Sequence, residues 1–375
     1  MKYRDFGETG LKVSALGFGA MRLPTVNNEP YSSNIIEEEA IGLIRQAIDQ
    51  GVNYVDTAYP YHGGASEILV GKALQDGYRE KVYLATKSPL FKLNTEEDFE
   101  RILDEQLEKL QTNCIDFYLL HAVNKEKWQE KVLKFNLLSK LEKAKSQGKI
   151  KYIGFSFHDN LETFKEVVDG YEHWDFCQIQ LNYIDVVNQA GMEGLKYAAE
   201  RGLAVVIMEP LLGGRLAAPP AQVAKLIPQG KSPVQYAFDF LWDMKEVSLL
   251  LSGMGSKQMV EDNLAYADEA AIGKLTEEDA QLYKKVKHVY DNMALVPCTK
   301  CSYCMPCPFG LDIPKIYEAY NKTAIMAKDK AKEFYEALSV KADSCRKCKK
   351  CEKVCPQHII SSDLMPVIDE AFKSI

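Results

Sequence analysis

Ile115-Asp116-Phe117-Tyr118-Leu119-Leu120-His121 is a short aromatic and aliphatic run that ends on an imidazole, and it reads as a β-strand closed by His121. Seven further runs share its character: Ala15–Gly19, Asn53–Asp56, Val82–Thr86, Ile150–Ser156, Phe176–Gln180, Leu203–Met208 and Ser248–Gly253. Between them lie segments with apolar residues at helical spacing, such as Glu37–Gln50, Thr95–Leu110, Phe135–Gln147, Glu193–Arg201 and Pro233–Trp242. Thr95-Glu96-Glu97-Asp98 has the form of a capping box, and Gly51, Gly148 and Gly202 stand where helix-ending glycines belong. Eight such units in about 250 residues predict an α/β fold, a (β/α)8 TIM barrel. A doubly wound open sheet is the alternative, but Gly17-Phe18-Gly19-Ala20 stops short of a G-x-G-x-x-G fingerprint. Ahead of the first barrel strand, Tyr3–Phe6 and Leu11–Val13 flank Gly7-Glu8-Thr9-Gly10 and predict a β-hairpin that plugs the barrel floor.

The 375 residues carry a net charge of -7, which argues against nucleic acid as the main partner. Hydrophobic residues make up 46% of the chain, enough for a globular core. The apolar runs, among them Leu203–Met208 and Val247–Leu251, are far shorter than a membrane span. Met1-Lys2-Tyr3-Arg4-Asp5 has no apolar stretch of the secretory kind, so the expected location is the cytoplasm. Eight of the ten cysteines fall between Cys298 and Cys355. In a cytoplasmic chain that density reads as metal ligation and marks a second domain. The expected division is a barrel over 1–270, a linking helix within 271–296 that includes Thr276–Asn292, and a cysteine domain over 297–375.

Barrel active sites lie at the C-terminal ends of the strands. There, Asp56 closes the second strand, Lys87 follows the third, His121 closes the fourth, and Tyr61 lies in the loop after Asp56. Their chemistry is complementary. An ammonium at Lys87 would lower the pKa of the Tyr61 phenol, Asp56 would keep Lys87 charged, and His121 would donate to a carbonyl oxygen. Tyr59 and Tyr54 compete for the role given to Tyr61, and a buried Asp–Lys pair taken alone is more often structural.

Asp56-Thr57-Ala58-Tyr59-Pro60-Tyr61, Glu67, Gly71, Ala85-Thr86-Lys87 and Asp116 to His121 resemble the aldo-keto reductases in order and spacing, over a match from about Tyr3 to Leu264. The resemblance implies a tetrad of Asp56, Tyr61, Lys87 and His121, with Tyr61 giving a proton to a carbonyl that receives hydride from NAD(P)H. It also implies that Gly19, Ala20 and Met21 run along the nicotinamide ribose and that Ser156 and Gln178 bind the carboxamide. Met208 stands where many members stack an aromatic on the nicotinamide. Pro210, Leu211, Gly213 and Arg215 belong to a loop resembling the pyrophosphate cover, and Gly253, Gly255, Ser256 and Asn263 to the adenine end. Gly255 and Met259 occupy places where the family often has Arg. Between Ser252 and Leu264 the only cation is Lys257, so the expectation is that NADH binds at least comparably to NADPH.

The cysteines form two runs, Cys298-x2-Cys301-x2-Cys304-x2-Cys307-Pro308 and Cys345-x2-Cys348-x2-Cys351-x3-Cys355-Pro356. This is the bacterial ferredoxin pattern, in which the fourth cysteine of each run serves the other cluster. By that rule one [4Fe–4S] cluster takes Cys298, Cys301, Cys304 and Cys355, and the other takes Cys345, Cys348, Cys351 and Cys307. The first run departs from the pattern by one residue before Cys307. Ile313–Ala319 and Ala327–Leu338 read as helices, so the domain resembles the α-helical dicluster ferredoxins. Two four-thiolate zinc sites are the alternative, disfavoured because zinc knuckles are usually separated C-x2-C pairs. Arg346, Lys347, Lys349, Lys350 and Lys353 suit either a solvated basic face or the docking of an acidic electron carrier such as ferredoxin or flavodoxin.

The expected function is that of an oxidoreductase, a barrel acting on a small carbonyl or alcohol substrate with two [4Fe–4S] clusters exchanging electrons with the barrel or a carrier. The alternatives are an ordinary carbonyl reductase with structural clusters and a nicotinamide-sensing interaction module.

Overall fold

A computed structural model describes residues 1–293, 295–324 and 328–375. The chain divides into two units, Met1–Pro210 with Ala237–Leu275 and Leu211–Tyr236 with Thr276–Ile375. The first opens with the antiparallel hairpin β1 (Tyr3–Asp5) and β2 (Lys12–Ser14). Eight parallel strands follow: β3 (Leu16–Gly19), β4 (Tyr54–Asp56), β5 (Tyr83–Ser88), β6 (Ile115–Val123), β7 (Ile150–Phe157), β8 (Phe176–Gln180), β9 (Ala204–Met208) and β10 (Leu249–Ser252). They close into a barrel in chain order, with β10 hydrogen-bonded to β3. The TIM barrel is therefore present, and each strand lies within two residues of its expected bounds. Among the described residues no helix is long and apolar enough to cross a membrane.

Side chains of a strand alternate between its two faces. One buried apolar cluster unites Tyr54, Ala85, Phe117, Phe176, Ala204 and Leu249, which sets the inward face of each strand. Counting on in twos along the same strands gives Asp56, Lys87 and His121, so the row that fills the lower barrel with hydrocarbon delivers polar groups at its upper end.

The hairpin closes the floor. Phe6 is fully buried in that cluster, with its ring 4.5 Å from Phe117 and 5.5 Å from Phe176. Gly7 turns the chain with φ of 54°, and a side chain there would collide with the backbone of Gly202 to Ala204. Arg4 donates to the carbonyls of Met244 (3.0 Å) and Val247 (2.7 Å), tying the hairpin to the segment before β10. Nearby, Asp116 Oδ2 accepts the Leu84 N–H and an Arg79 donor while Oδ1 accepts Lys151, which joins β5, β6 and β7 at their starts.

The helix after β5 runs Asp98–Lys109 and buries Phe99, Ile102, Leu103 and Gln106. Half of the expected capping box forms here: the Asp98 carboxylate accepts the N–H groups of Asn94 and Thr95, although Asp98 is itself the first helical residue. Gly51, Gly148 and Gly202 all have positive φ at helix ends, as expected.

The second unit contains the helices Glu277–Met293, Ile313–Lys322, Lys328–Glu336 and Ser361–Lys373. Of the expected segments, Ala294 and Ala327 lie outside the described residues. The last helix has no counterpart in the sequence reading, where Pro366 masks it. Ile316, Tyr317, Tyr335, Ile368 and Phe372 are buried in one core, with the Tyr335 and Phe372 rings stacked at 4.0 Å.

Removing the floor plug leaves a cavity lined by aromatic rings. Phe6→Ala is expected to destabilise the barrel by about 3–5 kcal/mol, read as a lower denaturation midpoint in urea.

Candidate functional site

Asp56, Lys87 and His121 end on the inner face of three neighbouring strands, and each is at most 6% exposed. Lys87 Nζ donates to Asp56 Oδ1 (2.6 Å) and Oδ2 (2.8 Å) and to the Thr57 carbonyl (2.8 Å). It lies 3.4 Å from the Tyr61 hydroxyl, a contact made possible by the tight turn Tyr61–Gly64 that follows Pro60. The Tyr61 and His121 rings meet edge to face with centroids 6.2 Å apart. The four residues singled out from the sequence thus converge.

The competing tyrosines are engaged elsewhere. Tyr59 donates to Glu105 and lies under the ammonium groups of Lys92 and Lys109. Tyr54 belongs to the barrel interior, stacked on Phe117 at 5.1 Å.

Burial dominates the electrostatics. It pushes Asp56 up and Lys87 down, while the attraction between the two opposes both shifts. It also holds Tyr61 well above the ordinary phenol value, with Asp56 adding to the rise. This corrects the expectation that Lys87 lowers Tyr61: the Lys87 charge is spent on Asp56, and desolvation wins. His121 is held well below the usual imidazole value, first by burial and then by the charges of Lys87, Lys127 and His158. Near neutral pH the site therefore presents a protonated phenol and a neutral imidazole, both able to donate a hydrogen bond.

Two supporting residues escape a reading of strand ends. Gln106 Nε2 donates to the Lys87 carbonyl (3.1 Å) and to Glu67 Oε1 (2.5 Å), and its Oε1 accepts the Tyr118 hydroxyl (2.7 Å). Glu67 in turn accepts Thr86 Oγ1 at 2.7 Å. The signal was a glutamine within the apolar stripe of a helix. Arg22 is the second: the aliphatic stem of its side chain packs against Gly253 and its carbonyl against Gly255, so the loop after β3 borders the region expected to hold adenine, while the guanidinium lies 5.7 Å over the Tyr31 ring.

The residues expected to hold a nicotinamide dinucleotide are placed as follows. Gly19 pairs with Asp56 in the sheet register, and the Ala20 N–H donates to the Asp56 carbonyl at 2.8 Å, with Met21 next in the chain. Ser156 and Gln178 are register partners on β7 and β8, and Gln178 Oε1 is buried without a hydrogen-bond partner among the described residues. Met208 ends β9 opposite Gln180, and Pro210 stands two residues further on. Asn263 donates to Ser252 Oγ at 3.1 Å, and Ser256 caps the helix Lys257–Asp268 just after Gly253 and Gly255. Lys257 pairs with Glu261 at 3.7 Å. Leu211, Gly213 and Arg215 fall in the second unit.

In that unit the thiols ring two cavities. Cys298, Cys301, Cys304 and Cys355 line one, together with Ile313, Tyr317 and Ile359. Cys307, Cys345, Cys348 and Cys351 line the other, and Cys351 reaches the first as well. Each cavity draws on both runs. Soft thiol donors in apolar walls fit an iron–sulfur cluster, and none of the eight cysteines is in a disulfide. Arg346, Lys347, Lys349, Lys350 and Lys353 are all exposed beside exposed Cys348, and none forms an ion pair among the described residues.

Comparison with known proteins agrees with both halves. Residues 15–287 match the aldo/keto reductase family and residues 294–359 the 4Fe-4S dicluster domain. L-Galactose dehydrogenase of Arabidopsis thaliana is 31% identical over 293 residues, covering 72% of this chain and 89% of that protein. An uncharacterized oxidoreductase of Bacillus subtilis is 31% identical over 237 residues, covering 58% and 68%. The holo form of an aldo-keto reductase from Bacillus halodurans superposes with a TM-score of 0.62 at 26% identity, covering 76% of this chain and 96% of that one.

The depressed His121 value has a consequence for stability. The unfolded chain protonates this imidazole near pH 6.5 whereas the folded barrel does not, so the unfolded state binds more protons as the pH falls. His121 should cost the barrel nothing above about pH 6.5 and progressively more below it. Unfolding midpoints at pH 7.5 and 5.5, read from the tryptophans at 128, 174 and 242, all in the first unit, should therefore differ more in the parent protein than in His121→Gln.

Proposed function

Because the chain belongs to the aldo/keto reductase family and carries a 4Fe-4S dicluster domain behind the barrel, we propose that it is a nicotinamide-dependent oxidoreductase interconverting a carbonyl compound and its alcohol. One observation carries this reading. The Lys87 ammonium bonds both Asp56 oxygens and touches the Tyr61 hydroxyl, with the His121 ring edge-on to that phenol.

In this reading Tyr61 holds the transferable proton on its hydroxyl oxygen, and burial keeps it there until a carbonyl oxygen arrives. His121, neutral, donates a second hydrogen bond to that oxygen and fixes its place. Lys87 steadies the phenolate left after proton transfer, and Asp56 keeps Lys87 charged and aimed. Ser156 and the unpartnered Gln178 Oε1 are suited to a carboxamide, so they would orient the nicotinamide ring. Gly19, Ala20 and Met21 would follow its ribose. NAD(P)H, when bound, supplies the hydride for the carbonyl carbon.

We assign Cys298, Cys301, Cys304 and Cys355 to one [4Fe–4S] cluster and Cys307, Cys345, Cys348 and Cys351 to the other, because each set of four lines one cavity and Cys351, which reaches both, is needed to complete the second. Each cluster supplies one-electron steps, so two together match the electron pair of a hydride. The unpaired cations around Cys348 favour an acidic carrier protein as the electron partner on that surface.

Tyr61→Phe should bind NADH as the parent does, by fluorescence titration, yet reduce aldehydes about a hundredfold or more slowly, because only the transition state uses the proton. Undiminished turnover would remove Tyr61 from the reaction. Anaerobically prepared protein should be brown, with about eight iron and eight sulfide per chain, and Cys348→Ser should lower both contents. Added NADH should bleach the visible absorption if the barrel and the clusters exchange electrons, and an unbleached spectrum would leave the clusters with a structural role.

A further inference from the structure

Four residues beyond the end of β6 stands a lysine that the tetrad does not use. Asn124 Oδ1 accepts the Lys127 backbone N–H at 2.8 Å, and Lys127 Nζ donates to the Ala122 carbonyl at 2.8 Å, so both ends of the side chain are fixed. Ala122 is the residue directly after His121. It adopts φ of 54° where β6 slips register against β7, and its N–H donates to Ser156 Oγ at 2.8 Å. A single residue thus links the Lys127 ammonium to His121 on one side and to Ser156 on the other.

The charge of this ammonium is unmatched. Lys127 is partly buried and forms no ion pair among the described residues, whereas the fully buried Lys87 is bonded to both oxygens of Asp56. Burial draws Lys127 down to about 8, with only its exposed neighbour Glu126 opposing, and its charge reaches His121. A partly buried ammonium with one carbonyl acceptor and no carboxylate partner is stabilised by an anion that completes it. Its position beside the imidazole that receives the carbonyl oxygen indicates what that anion is attached to.

We propose that Lys127 binds a carboxylate carried by the substrate, so that the compound reduced at Tyr61 and His121 is an oxo acid or a carboxylated aldehyde. This rests on the proposed role of Tyr61 and His121. Hydride adds to the carbonyl carbon, the C=O π bond opens, Tyr61 protonates the oxygen, the nicotinamide is oxidised, and the carboxylate passes through unchanged.

The test uses the anaerobically purified full chain, with 4-carboxybenzaldehyde and its methyl ester as paired probes under saturating NADH and NADPH. The parent protein should favour the acid over the ester by at least about tenfold in kcat/KM. Lys127→Met should erase that ratio, mainly through a higher KM for the acid, and Lys127→Arg should restore part of it. Calorimetric titration of benzoate into the NADH-loaded protein is the second arm, with binding weakened at least about tenfold in Lys127→Met. A parent with no preference, or a Lys127→Met variant that binds benzoate as the parent does, overturns the proposal. Lys127-dependent benzoate binding without turnover of either aldehyde supports the carboxylate site and counts against the proposed reduction instead.

Discussion

The geometry of the barrel rests on a period of two. A strand sends alternate side chains to opposite faces, and closing eight parallel strands into a ring forces one of those rows inward along the whole circumference. Once Phe6 seals the lower end against Tyr54, Phe117 and Phe176, the inward row has its register, and Asp56, Lys87 and His121 must emerge together above it. A slip of one residue in β5 would send Lys87 out toward the helix that carries Gln106 and bring Thr86 in. Floor and site are therefore one construction: the apolar packing below holds the polar groups above in position.

The same enclosure decides where protons reside. In water Lys87 would be a general source of positive potential, but here its three acceptors on Asp56 and Thr57 consume it, and Tyr61 receives only a longer contact. The phenol stays protonated because its anion is poorly solvated, and the imidazole stays neutral because burial penalises its cation and the nearby positive charges of Lys87 and Lys127 add to that penalty. Two uncharged donors beside one locked ion pair form a site set to stabilise negative charge that arrives with a reacting molecule.

Much of this was written in local pattern. The eight strands, the hairpin, Asp56 at the end of β4 and the cysteine runs are all short-range signals at the expected places, whereas His121 and Lys87 lie inside strands that run on to Val123 and Ser88. What stayed hidden depends on contacts between distant segments. Arg22 meets Gly253 and Gly255 only when the ring closes. Thr95 gives just half of its box because Asp98 begins the helix and caps backward. The direction of the Tyr61 shift follows from burial depth, which no spacing encodes. Gln106 was detectable, as a polar residue in an apolar stripe, but its hold on Lys87 and Glu67 needed the fold. The grouping of residues 211–236 with the cysteine unit, too, is a long-range property.

The cavities drawing thiols from both cysteine runs also bear on how the protein is made. Cys298, Cys301 and Cys304 leave the ribosome well before Cys355, which lines the same cavity. At about 5–20 residues per second the intervening stretch takes about 3–10 s to appear. For that interval the nascent chain offers three thiols without their fourth neighbour, and Cys307 waits likewise for the second run. Each cavity thus gains its full set of thiols only after the second run has been made, and chains released before that point would leave both cavities short of walls.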